Sequence, residues 1–196
     1  MELQGERIIP APVAATWDAL NDPEVLKACI AGCESLERTG DDAYAAVVAV
    51  KVGPVSARFR GNLQMTNVDA PNRYTINFEG QGGVAGFGKG AADVALTAEG
   101  PQGMQTRLVY GAKAQVGGKL AQIGSRLIDA AAGKITDDFF KAFEAHVAAA
   151  RVDTSAGSAS AAPAVVVPVV VRHPVGALGW SLAGLVLLAL IYFLSR

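Results

Sequence analysis

From Val55 to Thr66 apolar and polar positions alternate without a break. Val55, Ala57, Phe59, Gly61, Leu63 and Met65 share one face, and Ser56, Arg58, Arg60, Asn62, Gln64 and Thr66 share the other. A period of two predicts a half-buried strand. The same rhythm returns over 73–80, where Tyr74, Ile76 and Phe78 point inward. Further strands are predicted over 1–9, 44–52, 87–99 and 104–116, separated by turn signals at Gly53-Pro54, Asp69–Asn72 and Gly100–Gly103. The stretch 44–52, "YAAVVAVKV", is apolar on both faces and reads as a central strand. One wet and one apolar face imply an antiparallel sheet.

Helical periodicity takes over in two places. "VAATWDALNDPEVLKACI" (13–30) reads as two short helices split at Asn21–Pro23, with Pro12 and Pro23 in positions that suit a first helical turn. The stretch from Gly117 through Phe140 reads as the front of one long helix, with Leu120, Ile123, Leu127 and Ile135 on its buried face. A strand, two helices, about six strands and a long helix make an α+β domain in which that helix covers the apolar face of the sheet.

The two facing surfaces are thinly furnished. The inward strand positions include Ala57, Gly61, Gly86, Gly88, Gly90, Ala92, Ala112 and Ala114, and the helix offers Gly124 and Ala131. Native interiors pack densely, so such surfaces either approach closely or enclose a space. A curved sheet cannot close on a straight helix along its whole length, which favours a space; the pattern alone leaves both readings open. The walls of that space would be Phe59, Leu63, Ile76, Phe78, Ala92, Val94, Leu108, Tyr110, Ile123 and Leu127, with Gly124 and Ala131. Such a lining suits an apolar ligand.

The C-terminal end differs in character. Val175–Leu194 holds 20 residues without a charge, which as a helix would span about 30 Å, the thickness of a bilayer core. Trp180 and Tyr192 lie toward its ends, where aromatic rings favour the interface. Residues 151–174, Ala/Ser/Gly-rich and then Val-rich with spaced prolines, read as a linker. The start of the chain has no signal-peptide pattern. These features together predict a domain over 1–150, a tether over 151–174 and a single-pass anchor over 175–194, with the domain facing the cytoplasm.

Charge and candidate chemistry narrow the function. Residues 1–150 carry 14 Lys+Arg against 17 Asp+Glu and no basic stripe, so nucleic-acid binding has no electrostatic footing. Cys29 and Cys33, with His146 and His173 far off in sequence, are too few for a zinc site and read as buried or half-buried free thiols, with a redox or disulfide role as the alternative. Gly80-x-Gly82-x-x-Ala85 matches a dinucleotide fingerprint formally, but a strand follows where a helix is needed. Asp137 and Asp138 project about 100° apart on a helix and cannot share a proton. The inward positions offer few polar groups, mainly Tyr44, Tyr74, Tyr110 and Thr106, so catalysis is not indicated and no metal or covalent cofactor is expected.

Three stretches resemble a known family: "NDPEVLKACIAGCESLE" (21–37), "VGPVSARFRGNL" (52–63) and "AQVGGKLAQIGSRLIDAAAGKITDDFF" (114–140). Across residues 1–150 the chain is similar to the START/Bet v 1-like (SRPBCC) superfamily and, within it, to the CoxG family, the G subunits of carbon monoxide dehydrogenase. Ala31 departs from the proline expected there between the two cysteines. The resemblance implies a helix-grip fold, a curved seven-stranded antiparallel sheet around a long C-terminal helix with an apolar cavity between them. It also implies a non-catalytic accessory protein that recruits molybdenum-containing carbon monoxide dehydrogenase, or a related molybdenum hydroxylase, to the cytoplasmic membrane. Its implied ligand is a respiratory quinone, menaquinone or ubiquinone, or a similar lipophilic molecule. A pure tether and a cavity enzyme of the same fold are the competing readings.

Overall fold

In the computed structural model, which describes residues 2–157, the chain runs β1 (Glu2–Ile9), α1 (Val13–Leu20), α2 (Pro23–Cys29), β2 (Cys33–Arg38), β3 (Ala43–Val52), β4 (Val55–Asp69), β5 (Arg73–Gln81), β6 (Phe87–Glu99), β7 (Gln105–Gly117), α3 (Lys119–Gln122) and α4 (Ser125–Gly157). Short 3-10 turns join β5 to β6 and β6 to β7. The strands form one sheet in the order β1-β7-β6-β5-β4-β3-β2, antiparallel at every step. The predicted alternation on β4 holds, with Phe59, Gly61, Leu63 and Met65 buried and their neighbours exposed.

Two features of the sheet differ from the sequence reading. β2 is a strand that the pattern did not predict: only Leu36 in "CESLER" is buried, and a short polar edge strand shows its nature only through pairing with β3. With β2 outside it, β3 is the second strand from the edge and β5 takes the centre. The turn into β2, where Ala31 stands in place of the expected proline, is set by Gly32. Its φ is +81°, and a side chain there would meet the Ala49 carbonyl oxygen at 2.1 Å. The Ala49 N–H donates to the Gly32 carbonyl at 2.8 Å, which ties the turn to β3.

α1 and α2 start as their prolines suggest. Pro12 caps α1, while Pro23 is at the first position of α2, whose Asp22 cap accepts from the Glu24 N–H. α1 is fastened to β7 by a fully buried pair of hydroxyls. Thr106 donates to the Ala11 carbonyl at 2.7 Å, and Thr16 donates to Thr106 Oγ1 at 3.1 Å. Thr106→Val keeps the shape and removes both a donor and an acceptor. The expected cost is about 1–3 kcal/mol, read as a lower midpoint in thermal denaturation; an unchanged midpoint would show that the pair holds nothing.

The long helix is where the sequence reading needs its main correction. α3 ends at once, and Gly124, with φ +92°, breaks the chain before α4 begins. The break resets the helical phase, so Ile128 is buried in the place expected for Leu127, which is 44% exposed and rests over the Gly53 turn. The buried face of α4 follows two i, i+4 rows: Ile128, Ala132, Thr136 and Phe140, and Ile135, Phe139, Phe143 and Val147. Residues 151–157 continue α4 as helix. Among the described residues no helix is long and apolar enough to cross a membrane, and the anchor expected over 175–194 lies outside them.

Candidate functional site

Adjacent strands bring the eight strand residues of the candidate lining onto one surface. Leu63 stands opposite Phe78, Ile76 opposite Ala92, and Val94 opposite Tyr110 in the sheet register. Phe59, Leu63, Ile76, Phe78, Ala92, Val94, Leu108 and Tyr110 are all buried on the inner face, which α4 crosses. Ile123 and Ala131 are half-buried and pack against this cluster. Leu127 and Gly124 do not join them: Leu127 is on the surface, and Gly124 is exposed at the helix break.

The small inward residues divide into two kinds. Some are seats for aromatic rings. A side chain on Gly90 would meet Phe78 Cζ at 2.6 Å, one on Gly82 would meet the Phe59 ring at 2.2 Å, and one on Gly5 would meet Tyr110 Oη at 2.4 Å. There the missing methylenes are replaced by a neighbouring ring, which is close approach. A side chain added at Gly124, just before α4, or at Gly133 on it meets nothing within 4 Å. Close approach therefore holds on the sheet side, which is filled with rings; at the helix, Gly124 opens to solvent at the break and half-buried Gly133 has free space beside it.

A polar corner closes this surface at the β1 edge. Leu3, Gly5, Arg7 and Ile9 are the inward positions of β1, so an arginine stands on an otherwise apolar face. Arg7 pairs with Asp137 of α4, and its guanidinium carbon is 5.4 Å from the centre of the Phe140 ring. Tyr110 packs on the same ring at 5.4 Å. Burial pushes the Tyr110 phenol up, Arg7 offsets part of that, and Asp137 adds to it, so the group is a neutral hydrogen-bond donor at physiological pH. Arg7 Nε and Thr136 Oγ1 are buried with no hydrogen-bond partner among the described residues. The alternation in "MELQGERII" carried the signal for Arg7, since Leu3, Gly5, Arg7 and Ile9 fall at every second position.

The remaining candidates sort plainly. Asp137 pairs with Arg7 and Asp138 with Lys134, so the adjacent aspartates serve different partners. Cys29 and Cys33 are free thiols, both pushed up mainly by burial and thus poor nucleophiles. Thr106 is taken up in holding the Ala11 carbonyl and accepting from Thr16. The glycine-rich stretch 80–90 forms the β5–β6 connection with no helix after it, as its sequence context predicted. No group of three metal-ligating side chains occurs among the described residues. An open groove of about 870 Å³ runs along the polar face of the sheet, lined chiefly by Asn62, Gln64, Asn77, Lys89, Lys113 and Gln115, with the strand positions of Leu63, Phe78 and Ala114 between them.

A seven-stranded antiparallel sheet whose apolar inner face is crossed by one long C-terminal helix is the helix-grip arrangement of Bet v 1-like proteins. Solved structures share it. A conserved protein from Geobacillus kaustophilus is 32% identical over 76% of this chain and 95% of that chain, with a TM-score of 0.70. TTHA0849 from Thermus thermophilus is 20% identical over 76% and 99%, with a TM-score of 0.53. The Zhui aromatase/cyclase from Streptomyces sp. R1128 is 12% identical over 75% and 93%, with a TM-score of 0.57. No match was found among curated proteins. The chain belongs to the CoxG family, the G subunits of carbon monoxide dehydrogenase, whose sequence model matches residues 5–148.

Proposed function

We propose that this chain is a non-catalytic accessory protein that holds a molybdenum-containing carbon monoxide dehydrogenase, or a related molybdenum hydroxylase, at the cytoplasmic membrane. In this reading the inner face of the domain binds a lipophilic molecule, a respiratory quinone or a compound of similar shape. Membership of the CoxG family supports the enzyme partner. The uncharged run over 175–194 supports the anchor. The observation that supports the ligand is the apolar inner face itself, eight buried strand side chains with Ile123 and Ala131 half-buried at its edge.

The residues present fit such a guest. Apolar walls would take its hydrocarbon part. Arg7 Nε–H and the hydroxyls of Tyr110 and Thr136 are donors at the polar corner, and a carbonyl or hydroxyl oxygen on the guest would satisfy Arg7 Nε and Thr136 Oγ1, which otherwise stay unpaired at a cost of about 1–3 kcal/mol each. A quinone combines both features. When bound, it would supply two-electron redox chemistry, and the protein would bind it, orient its oxygens and exclude water.

Two measurements test the reading. Native mass spectrometry of the chain extracted from membranes is expected to find a lipophilic guest; a domain that carries none and binds no added quinone removes the carrier role. Deleting 175–196 is expected to leave the partner enzyme in the soluble fraction after a high-salt wash. Unchanged membrane attachment would remove the anchoring role.

A further inference from the structure

One end of the domain exposes three large apolar side chains. The β5–β6 connection reaches its tip at Val84, 85% exposed, between Gly83 and Gly86, both with positive φ. At the same end Phe87, 43% exposed, rests against Gly117 at the exit of β7. Leu127 lies over the Gly53 turn that joins β3 to β4. This is also the end at which α3 breaks into α4 and the helix surface is open. Ile8, Val68, Met104 and Val109 are exposed to a similar degree as Phe87 and Leu127 but lie elsewhere on the domain; what sets this pole apart is Val84, the most exposed large apolar side chain among the described residues, together with the charge around it.

Charge at this pole runs against the rest of the domain. Residues 51–56, 82–88 and 116–129 contain Lys51, Lys119 and Arg126 and a single acid, Asp129, whereas residues 1–150 as a whole carry an excess of acids. Lys51, Lys119 and Arg126 are exposed, and none forms an ion pair among the described residues. Apolar tips within a collar of unpaired cations match the chemistry of an anionic lipid surface. The apolar side chains enter the acyl boundary while the lysines and the arginine meet phosphate head groups.

The geometry points to a lipid-docking rim formed by Val84, Phe87 and Leu127 with Lys51, Lys119 and Arg126, which lays this pole of the domain on an anionic bilayer. It acts independently of residues 175–194. It turns the open start of α4 toward the membrane, so a guest can pass between bilayer and domain with little exposure to water. Docking through the rim alone is weak and sensitive to salt, because each cation contributes about fivefold near an anionic surface. The anchor would hold the chain and the rim would set its orientation.

The test uses the full chain in vesicles whose acyl chains carry bromine. Val84→Trp is introduced in a Trp180→Phe background, leaving buried Trp17 common to all samples. Emission from the introduced indole is expected to be quenched on vesicles containing phosphatidylglycerol and unquenched on phosphatidylcholine alone. A Glu99→Trp probe at the opposite pole stays unquenched on both. Replacing Lys51, Lys119 and Arg126 with Gln is expected to lower the docked population about 100-fold and abolish the quenching. An unquenched probe at position 84 on anionic vesicles overturns the rim, as does equal quenching on both lipids. Shielding of that probe by the added partner enzyme and not by lipid makes the pole a protein interface and also overturns it. The anchor is read separately. A chain that floats with neutral vesicles while the rim probe stays bright on anionic ones loses the rim and keeps the anchor. One that leaves neutral vesicles while the rim probe is quenched on anionic ones keeps the rim alone.

Discussion

Phe143→Ala is expected to cost about 3–5 kcal/mol, a large share of the roughly 5–15 kcal/mol that holds a domain of this kind together. Phe143 is fully buried and stacks on Phe139 at 5.8 Å, which in turn meets Phe140 edge-on at 5.4 Å. Truncation removes the transfer free energy of a benzyl group, leaves a cavity that a ring-packed interior cannot collapse around, and breaks an aromatic pair. For about 150 residues that loss lowers the thermal midpoint by roughly 10 °C. Leu127→Ala serves as the contrast: Leu127 is 44% exposed, and the expected change is within about 1 kcal/mol. A denaturant titration of the two variants decides the matter. Equal losses would mean that the start of α4 grips the sheet as firmly as its middle, and the division of labour along the helix would be wrong.

That division explains what the sequence could and could not convey. The strands β4 and β5 were legible because one face is wet and the other dry, so a period of two is written into the residues themselves. β2 was not, since a short edge strand with one buried side chain takes its conformation from pairing with β3. The helix phase was lost at Gly124, where a single positive φ resets the count and moves the burial from Leu127 to Ile128. Periodicity measured across such a break describes a helix that does not exist. The eight strand residues of the candidate lining were readable for the same reason as their strands. Arg7 stands in the same plain alternation, but a charged side chain carries no burial signal of its own. Its partners Asp137 and Phe140 come from 130 and more residues away, and only the fold joins them.

Ala131→Phe is expected to abolish guest binding and leave the fold intact. Ala131 is half-buried at the edge of the core, two residues before Gly133, where an added side chain meets nothing within 4 Å. A benzyl group there would enter the space that the proposed guest needs, so stability should stay within about 1 kcal/mol of the parent while the lipophilic molecule is lost. Ala132→Phe, one residue on, puts the same group where no accessible surface remains. Overpacking there is expected to cost about 1–3 kcal/mol or more whatever the guest does. Thermal denaturation and native mass spectrometry on both variants, prepared as the full chain from membranes, separate the possibilities. If Ala131→Phe is destabilised as much as Ala132→Phe, the interior is already full, and the thin start of α4 is close packing and not an open site. If Ala131→Phe is stable and still carries its guest, the molecule binds elsewhere on the chain. Only a stable, empty variant places the guest between the inner face of the sheet and the first turns of α4.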